Sequence, residues 1–327
     1  MLVRDSMDLQ PQRDAFCASY NVAGPQLPLM GIAHWDAVLR HRGVNGDPLH
    51  QENAYVAPGY FYMPVSDEPD GPKLAELMDS AADSDWLLIP SLPKTPRNDA
   101  MHAAESIAVP FMQVAYFRTS GCVDSALRTA VGDKQYKAIR RITRKAEDAC
   151  RSEVYRLSDI SASHRALDDF AVLQALNGAK YRHSRNLYTR EVLSMLARST
   201  DAAKYYLRLD YDRASDVPLS GSLGYADEER AVFSKLVRGQ DRDHVPDGIN
   251  LYIADFYRVY QLASELGFDN ICLGRGAIEG KMRLGANHIV DLVNWLIPVN
   301  TRRTREMNEF ATAEMTDVTA ASRREPE

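Results

Sequence analysis

The stretch Gly248–Gly285, GINLYIADFYRVYQLASELGFDNICLGRGAIEGKMRLG, decides the reading of this chain. Apolar residues at Leu251, Ile253, Phe256, Val259, Tyr260, Leu262, Ala263 and Leu266 recur at the three-four spacing of a helix with one buried face. Gly267 stands where a left-handed residue closes such a helix. Asn270–Leu273 is short and apolar, which predicts a buried strand, and Gly274 and Gly276 after it allow positive φ and close backbone approach. A turn of that kind, carrying Arg275, Lys281 and Arg283, can present backbone N–H groups and cations to an anion. It is the chain's best candidate for a phosphate or acyl-donor site.

Upstream of the long helix, Tyr205–Tyr211, Pro218–Tyr225 and Arg230–Val237 are aromatic, β-branched and alternating, with polar turns between them. They predict an antiparallel meander. Before it come an expected strand at Val154–Leu157 and helices at Ala162–Asn177 and Arg190–Ala197. The N-terminal half alternates in the same way: a helix near His34–His41, extended chain at Tyr55–Met63, a helix at Lys73–Ala82 and a strand at Trp86–Ile89 that Pro90 and Pro93 should end. A helix at Asn98–Ile107, a strand at Phe111–Phe117 and a helix at Val123–Val131 follow. A last strand is expected at His288–Leu296. Beyond Pro298 the sequence is charged and small, which predicts a flexible tail over 299–327.

At 327 residues, 45 % hydrophobic and 26 % charged, the usage is globular. The N-terminus lacks a basic start with an apolar centre, and no apolar run reaches bilayer length, so a cytoplasmic protein with no membrane partner is expected. Cys17, Cys122, Cys150 and Cys272 form no CxxC pair, which argues against disulfides and zinc and predicts reduced, buried thiols. The net charge of -6 hides an asymmetry, because the middle of the chain is basic. There Lys134, Lys137, Arg140, Arg141, Arg144 and Lys145 follow one another with no acid between, while Tyr136, Ile139, Ile142 and Ala146 supply an apolar stripe. That is an amphipathic helix with a cationic face, either solvated or a contact for a polyanion such as tRNA through Lys137, Arg141 and Arg144.

The order of helix, meander, long helix, short strand, glycine turn and final strand resembles the GNAT acyltransferase fold. KQYKAIRRITRKAEDA, PLSGSLGYADEERAVFSKLVRGQD and LGRGAIEGKMRLGA, with Lys281 followed closely by Gly285, are similar to the FemABX-like branch, in which two such modules share one chain. The resemblance implies an α/β (α+β) protein of tandem GNAT-like modules, with mixed, mostly antiparallel sheets flanked by helices. The expected modules are 1–133 and 134–298. It further implies acyl transfer to a small-molecule amine or hydroxylamine in a specialised pathway such as antibiotic biosynthesis. The donor co-substrate would be aminoacyl-tRNA or acyl-CoA, with no bound cofactor or metal. Val237–Asp241 does not reproduce the usual Q/R-x-x-G-x-G/A loop for CoA, which favours aminoacyl-tRNA. A non-catalytic module holding RNA or another anionic polymer is the alternative.

Acyl transfer needs a neutral nucleophile, stabilisation of an oxyanion and a route for protons. Lys281 is the candidate oxyanion donor and Glu279 the candidate base, with Arg275 and Arg283 placed for an anion. Asn250 and Tyr252, at the start of the long helix, could bind the acceptor, although Asn250 is as readily an N-cap. Lys180, Tyr181, Arg182, His183 and Arg185 mix cations with an aromatic ring and suit a phosphate edge or an ordinary basic loop. No HExxH, no GxxxxGK[ST] and no complete GxGxxG is present, which sets aside a zinc protease, a P-loop enzyme and a Rossmann site.

Overall fold

The computed structural model describes residues 54–56, 71–82, 86–94, 106–179 and 188–299. Its decisive helix runs from Leu251 to Glu265. Asn250 caps it, accepting from the Ile253 N–H at 3.1 Å, and Gly267 at φ 87° closes it. The Phe268 N–H then reaches back to the Ala263 carbonyl at 2.8 Å, so the chain leaves the helix with its last carbonyls satisfied.

The described elements are β1 (Ala54–Val56), α1 (Gly71–Ser80), β2 (Trp86–Pro93), β3 (Ile107–Arg118), α2 (Val123–Ala149), β4 (Cys150–Arg156), α3 (Arg165–Ala179), α4 (Arg190–Arg198), β5 (Tyr205–Asp212), β6 (Pro218–Asp227), β7 (Val232–Gln240), α5 (Leu251–Glu265), β8 (Asn270–Arg275), α6 (Ile278–Arg283) and β9 (His288–Pro298). Their contacts group the chain into two units, Met1–Val114 with Val290–Glu327, and Ala115–Ile289. In the first, strands lie in the order β1-β2-β9-β3. Leu74 and Leu77 of α1 pack there on Leu87, Ile89, Leu92, Val293, Trp295 and Ile297. β2 does not end at Pro90. It continues to Pro93 through an irregularity between Ile89 and Leu92, where Ser91 adopts φ 54°. A strand can accommodate a proline, which has no N–H to donate, at such a bulge.

In the second unit the order is β3-β8-β7-β6-β5-β4. β4 to β7 form an antiparallel run and β8 joins β7 in parallel, the mixed and mostly antiparallel sheet expected. α2 is broken at Gly132 (φ 79°, ψ 161°), so the two expected helices are distinct segments of one span. Leu127, Tyr136 and Ile139 of α2 share a core with Phe256, Tyr257, Val259 and Tyr260 of α5 and with Phe233 of β7. Each such apolar side chain taken out of water contributes about 1.5–3 kcal/mol. α3 lies on the opposite face, close enough that a Cβ on Gly239 would stand 2.7 Å from the Leu173 backbone.

The remaining expected elements hold to within a few residues, except where they fall outside the described residues. His34–His41, most of Tyr55–Met63, residues 98–105 of the helix expected at Asn98–Ile107, and the tail from 300 onward do so, and Ile107 itself opens β3. Cys150 and Cys272 are buried free thiols, whereas Cys122, expected to be buried, is exposed at the N-cap of α2. No helix among the described residues is long and apolar enough to cross a membrane.

Candidate active site

β7 and β8 pair only over Val232–Ser234 against Asn270–Cys272. Immediately beyond, the register between β6 and β7 slips: Gly224 faces Lys235 while Leu223 faces Val237, leaving Leu236 as an extra residue. A bulge of this kind re-aims the side chains around it. Here Lys235 and Arg238 both turn towards α5. The Lys235 Nζ lies 2.7 Å from Asp255 Oδ2 and 4.1 Å from the centre of the Phe256 ring. The Arg238 Nε lies 3.4 Å from the same Asp255 oxygen. Its Nη2 donates to Gln240 Oε1 at 2.6 Å and to Ser220 Oγ at 3.1 Å, and the guanidinium stands 5.4 Å from the Tyr252 ring.

β5 supplies the next members from the face its alternation turns towards α5. Arg208 Nη1 donates to both oxygens of Asp210, at 2.7 and 2.6 Å, and its Nη2 donates to Asp255 Oδ1. Arg258 of α5 donates to Asp210 Oδ1 at 2.6 Å, and the Ser152 hydroxyl of β4 donates to the same atom. Asp210 and Asp255 are both 0 % exposed and Arg238, the most open of the group, is 13 % exposed. Two buried carboxylates thus face four cations. The Arg208 and Arg238 Nε groups make no hydrogen bond among the described residues, the 3.4 Å approach of Arg238 to Asp255 being an ion pair alone. Burial alone would raise Asp255, yet Lys235, Arg208 and Arg238 hold it well below the usual carboxylate range. Burial pushes Lys235 and Arg238 below their ordinary values against the pull of Asp255.

The glycine turn adds Lys281. Gly274 (φ 74°), Gly276 (φ 69°) and Ala277 (φ 46°) carry the chain from β8 into the short helix α6. Lys281 folds back beneath them, and its Nζ donates to the Gly274 carbonyl at 2.8 Å and the Arg275 carbonyl at 2.5 Å. The side chain is buried. That burial pushes the amine down to about 7, with Lys235 and Arg275 adding to the fall and Cys272 opposing it. Cys272 is itself raised by burial and lies within hydrogen-bonding reach of Tyr116 and Ser234.

The other expected site residues are dispersed. Asn250 spends its side-chain oxygen on the α5 cap. Tyr252 is brought beside Arg238. Arg275 is exposed on the turn. Glu279 and Arg283 stand in solvent, 92 % and 79 % exposed, with 3.9 Å between them. Lys137, Arg141 and Arg144 are exposed on α2. Lys180 and Arg182 lie outside the described residues. A surface hollow of about 580 Å³ near Ala162, Arg190 and Met195 shares no lining residue with this cluster, and its Arg190 is already tied to Asp168 at 2.5 Å.

Sequence reading missed Arg208, Asp210, Lys235, Arg238, Asp255 and Arg258. A signal existed for two of them: Asp255 and Arg258 interrupt the apolar run of α5 three residues apart.

No family model matches the sequence, and no curated protein matches it. Among solved structures, the C-terminal domain assigned to a lysylphosphatidylglycerol synthetase of Agrobacterium fabrum is similar over 80 % of this chain and 82 % of its own, at 13 % identity and a TM-score of 0.55. L-PGS of Bacillus licheniformis is similar over the same shares, at 12 % identity and a TM-score of 0.55. A tandem GNAT protein of the clavulanic acid biosynthesis pathway covers 91 % of this chain and 98 % of its own at 12 % identity, with a TM-score of 0.45. At these identities the likeness is one of fold: a mixed, mostly antiparallel sheet flanked by helices.

Proposed function

We propose that this chain is an acyltransferase of the FemABX-like branch that moves an aminoacyl group from aminoacyl-tRNA to a small-molecule amine or hydroxylamine in a specialised, cytoplasmic biosynthetic pathway. The observation that supports it is the opening of β7 from β8 at a bulge, beside a turn held by a lysine poised near neutral pH. The fold is shared with a protein whose name, lysylphosphatidylglycerol synthetase, describes a product formed by joining a lysyl group to an acceptor.

In this reading the acceptor nitrogen attacks the ester carbonyl of the donor. The C–N bond forms, the carbonyl oxygen takes the negative charge, and the C–O bond to the ribose breaks as the intermediate collapses. The nitrogen loses a proton and the ribose oxygen gains one. Protonated Lys281 has three N–H groups, of which two bind the Gly274 and Arg275 carbonyls. The third is left for the oxyanion or the leaving oxygen. Glu279, at the solvent side of α6 with Arg283, is the candidate base. The exposed cations Lys137, Arg141 and Arg144 of α2 meet the tRNA backbone.

The test is product mass after incubating the protein with charged tRNA or with acyl-CoA pools and a panel of amines. An acylated amine that disappears on ribonuclease treatment supports the reading. Ribonuclease-resistant acylation transfers it to acyl-CoA, and RNA binding without any acylated product replaces it with a binding module.

A further inference from the structure

The ion network beneath the opening is not a balanced one. Arg208 joins Asp210 to Asp255, and Arg258 seats on Asp210, so two cations and two carboxylates already close a neutral set between β5 and α5. Lys235 and Arg238 are additional, and both lean on one atom, Asp255 Oδ2, at 2.7 and 3.4 Å. One carboxylate oxygen cannot compensate two further buried charges, and burying an uncompensated cation is costly. Ring faces soften the cost, Phe256 under Lys235 and Tyr252 under Arg238. The Arg238 Nε, although 3.4 Å from Asp255 Oδ2, makes no hydrogen bond among the described residues. Arg238 is also the most open of the set, and Tyr252 beside it is 38 % exposed, so the unbalanced end of the network is the end that solvent can reach.

We infer that Lys235 and Arg238 form a binding site for an oxyanion, a carboxylate or a phosphate carried by the small acceptor. The planar guanidinium supplies directed donors and the ammonium a compact charge, the pairing that suits an oxyanion of either kind. Arg208, Asp210 and Arg258 act behind them as a rigid support that holds Asp255, and through it both cations, against the sheet. The inference rests on the proposed acyl transfer for the identity of the ligand as acceptor, but not for the site itself.

The experiment is thermal unfolding of the full chain at pH 7 in phosphate, acetate or chloride at equal ionic strength, for wild type, Lys235→Met and Arg238→Met. At about ten times the dissociation constant a bound anion should raise the wild-type midpoint by roughly 2–5 °C above chloride. Both variants should lose that increment. An increment from phosphate alone identifies a phosphate-bearing acceptor, and one from acetate identifies a carboxylate. Phosphate also stabilises proteins by exclusion from their surfaces, so an equal increment in wild type and both variants overturns the site. The absence of any increment in wild type overturns it too. Should a methionine variant fail to fold, Arg238→Lys keeps the charge but removes the fork and is expected to weaken the increment. No turnover is needed, so an anion effect without acyl transfer would remove the proposed reaction and leave the site standing.

Discussion

Asp255→Asn is the substitution to which the second unit should be most sensitive. The side chain is 0 % exposed, and its two oxygens meet Arg208 on one side and Lys235 and Arg238 on the other. An amide of the same shape removes the charge and turns an NH₂ group towards cations. Removing one member of a buried pair costs about 3–5 kcal/mol. Because three cations converge on Asp255, the upper half of that range is expected, near 4–5 kcal/mol. That is about a quarter or more of the roughly 5–15 kcal/mol by which domains are stable. Urea unfolding followed by circular dichroism measures it, with the midpoint falling and the slope unchanged. Asp255 also makes the effect depend on pH. Its folded pKa is depressed below the unfolded value of about 3.9, so its stabilisation is present above that value and is lost as pH falls below it. The gap between wild type and variant should therefore be constant from about pH 5 to 8 and shrink under more acid conditions. A loss below about 1 kcal/mol at pH 7 would refute the view that the network holds α5 on the sheet.

Lys281→Ala should lower turnover roughly a hundredfold, as expected for losing one preorganised donor. The sequence suggests a surface turn that folds without this residue, but its buried stem and two carbonyl bonds add a stability loss of about 1–3 kcal/mol, measurable in the same urea titration. Lys281→Met separates the roles by keeping the stem. The wild-type amine is depressed to about 7 when folded and titrates near 10.4 when unfolded. Between those values the unfolded state binds more protons, so wild type should gain stability relative to Lys281→Met as pH rises from 7 to 10, and parallel pH curves would reject a buried amine. Gly239→Ala would place its Cβ 2.7 Å from the Leu173 backbone. An expected cost of about 1–3 kcal/mol follows, and thermal unfolding unchanged from wild type would show that α3 does not pack there. Replacing Lys137, Arg141 and Arg144 together with Gln should reduce the dependence of log activity on log salt by about 2–3 if the donor is tRNA. A shallow slope shared by wild type and variant excludes that donor.

What the sequence determined by itself is local. The period of α5, its Asn250 cap and its Gly267 stop are legible because each depends on neighbours within a turn or two. The meander β5–β7 is legible for the same reason, through alternation broken by polar turns. The turn bearing Lys281 could be found from two glycines, although its amine points inward to carbonyls and not out to solvent. Tertiary structure alone decided which polar faces are buried. Arg208 and Asp210 alternate with leucines as residues on a wetted strand would, yet they face α5 and are sealed by Asp255, 47 residues away from Arg208. The extra residue at Leu236, which carries Lys235 and Arg238 to the same carboxylate, exists only as a mismatch between two strands. A charge is stable in the interior only beside its partners, and those partners come from β5, β7 and α5. Spacing along one strand or helix therefore cannot distinguish a buried ion network from a solvated face.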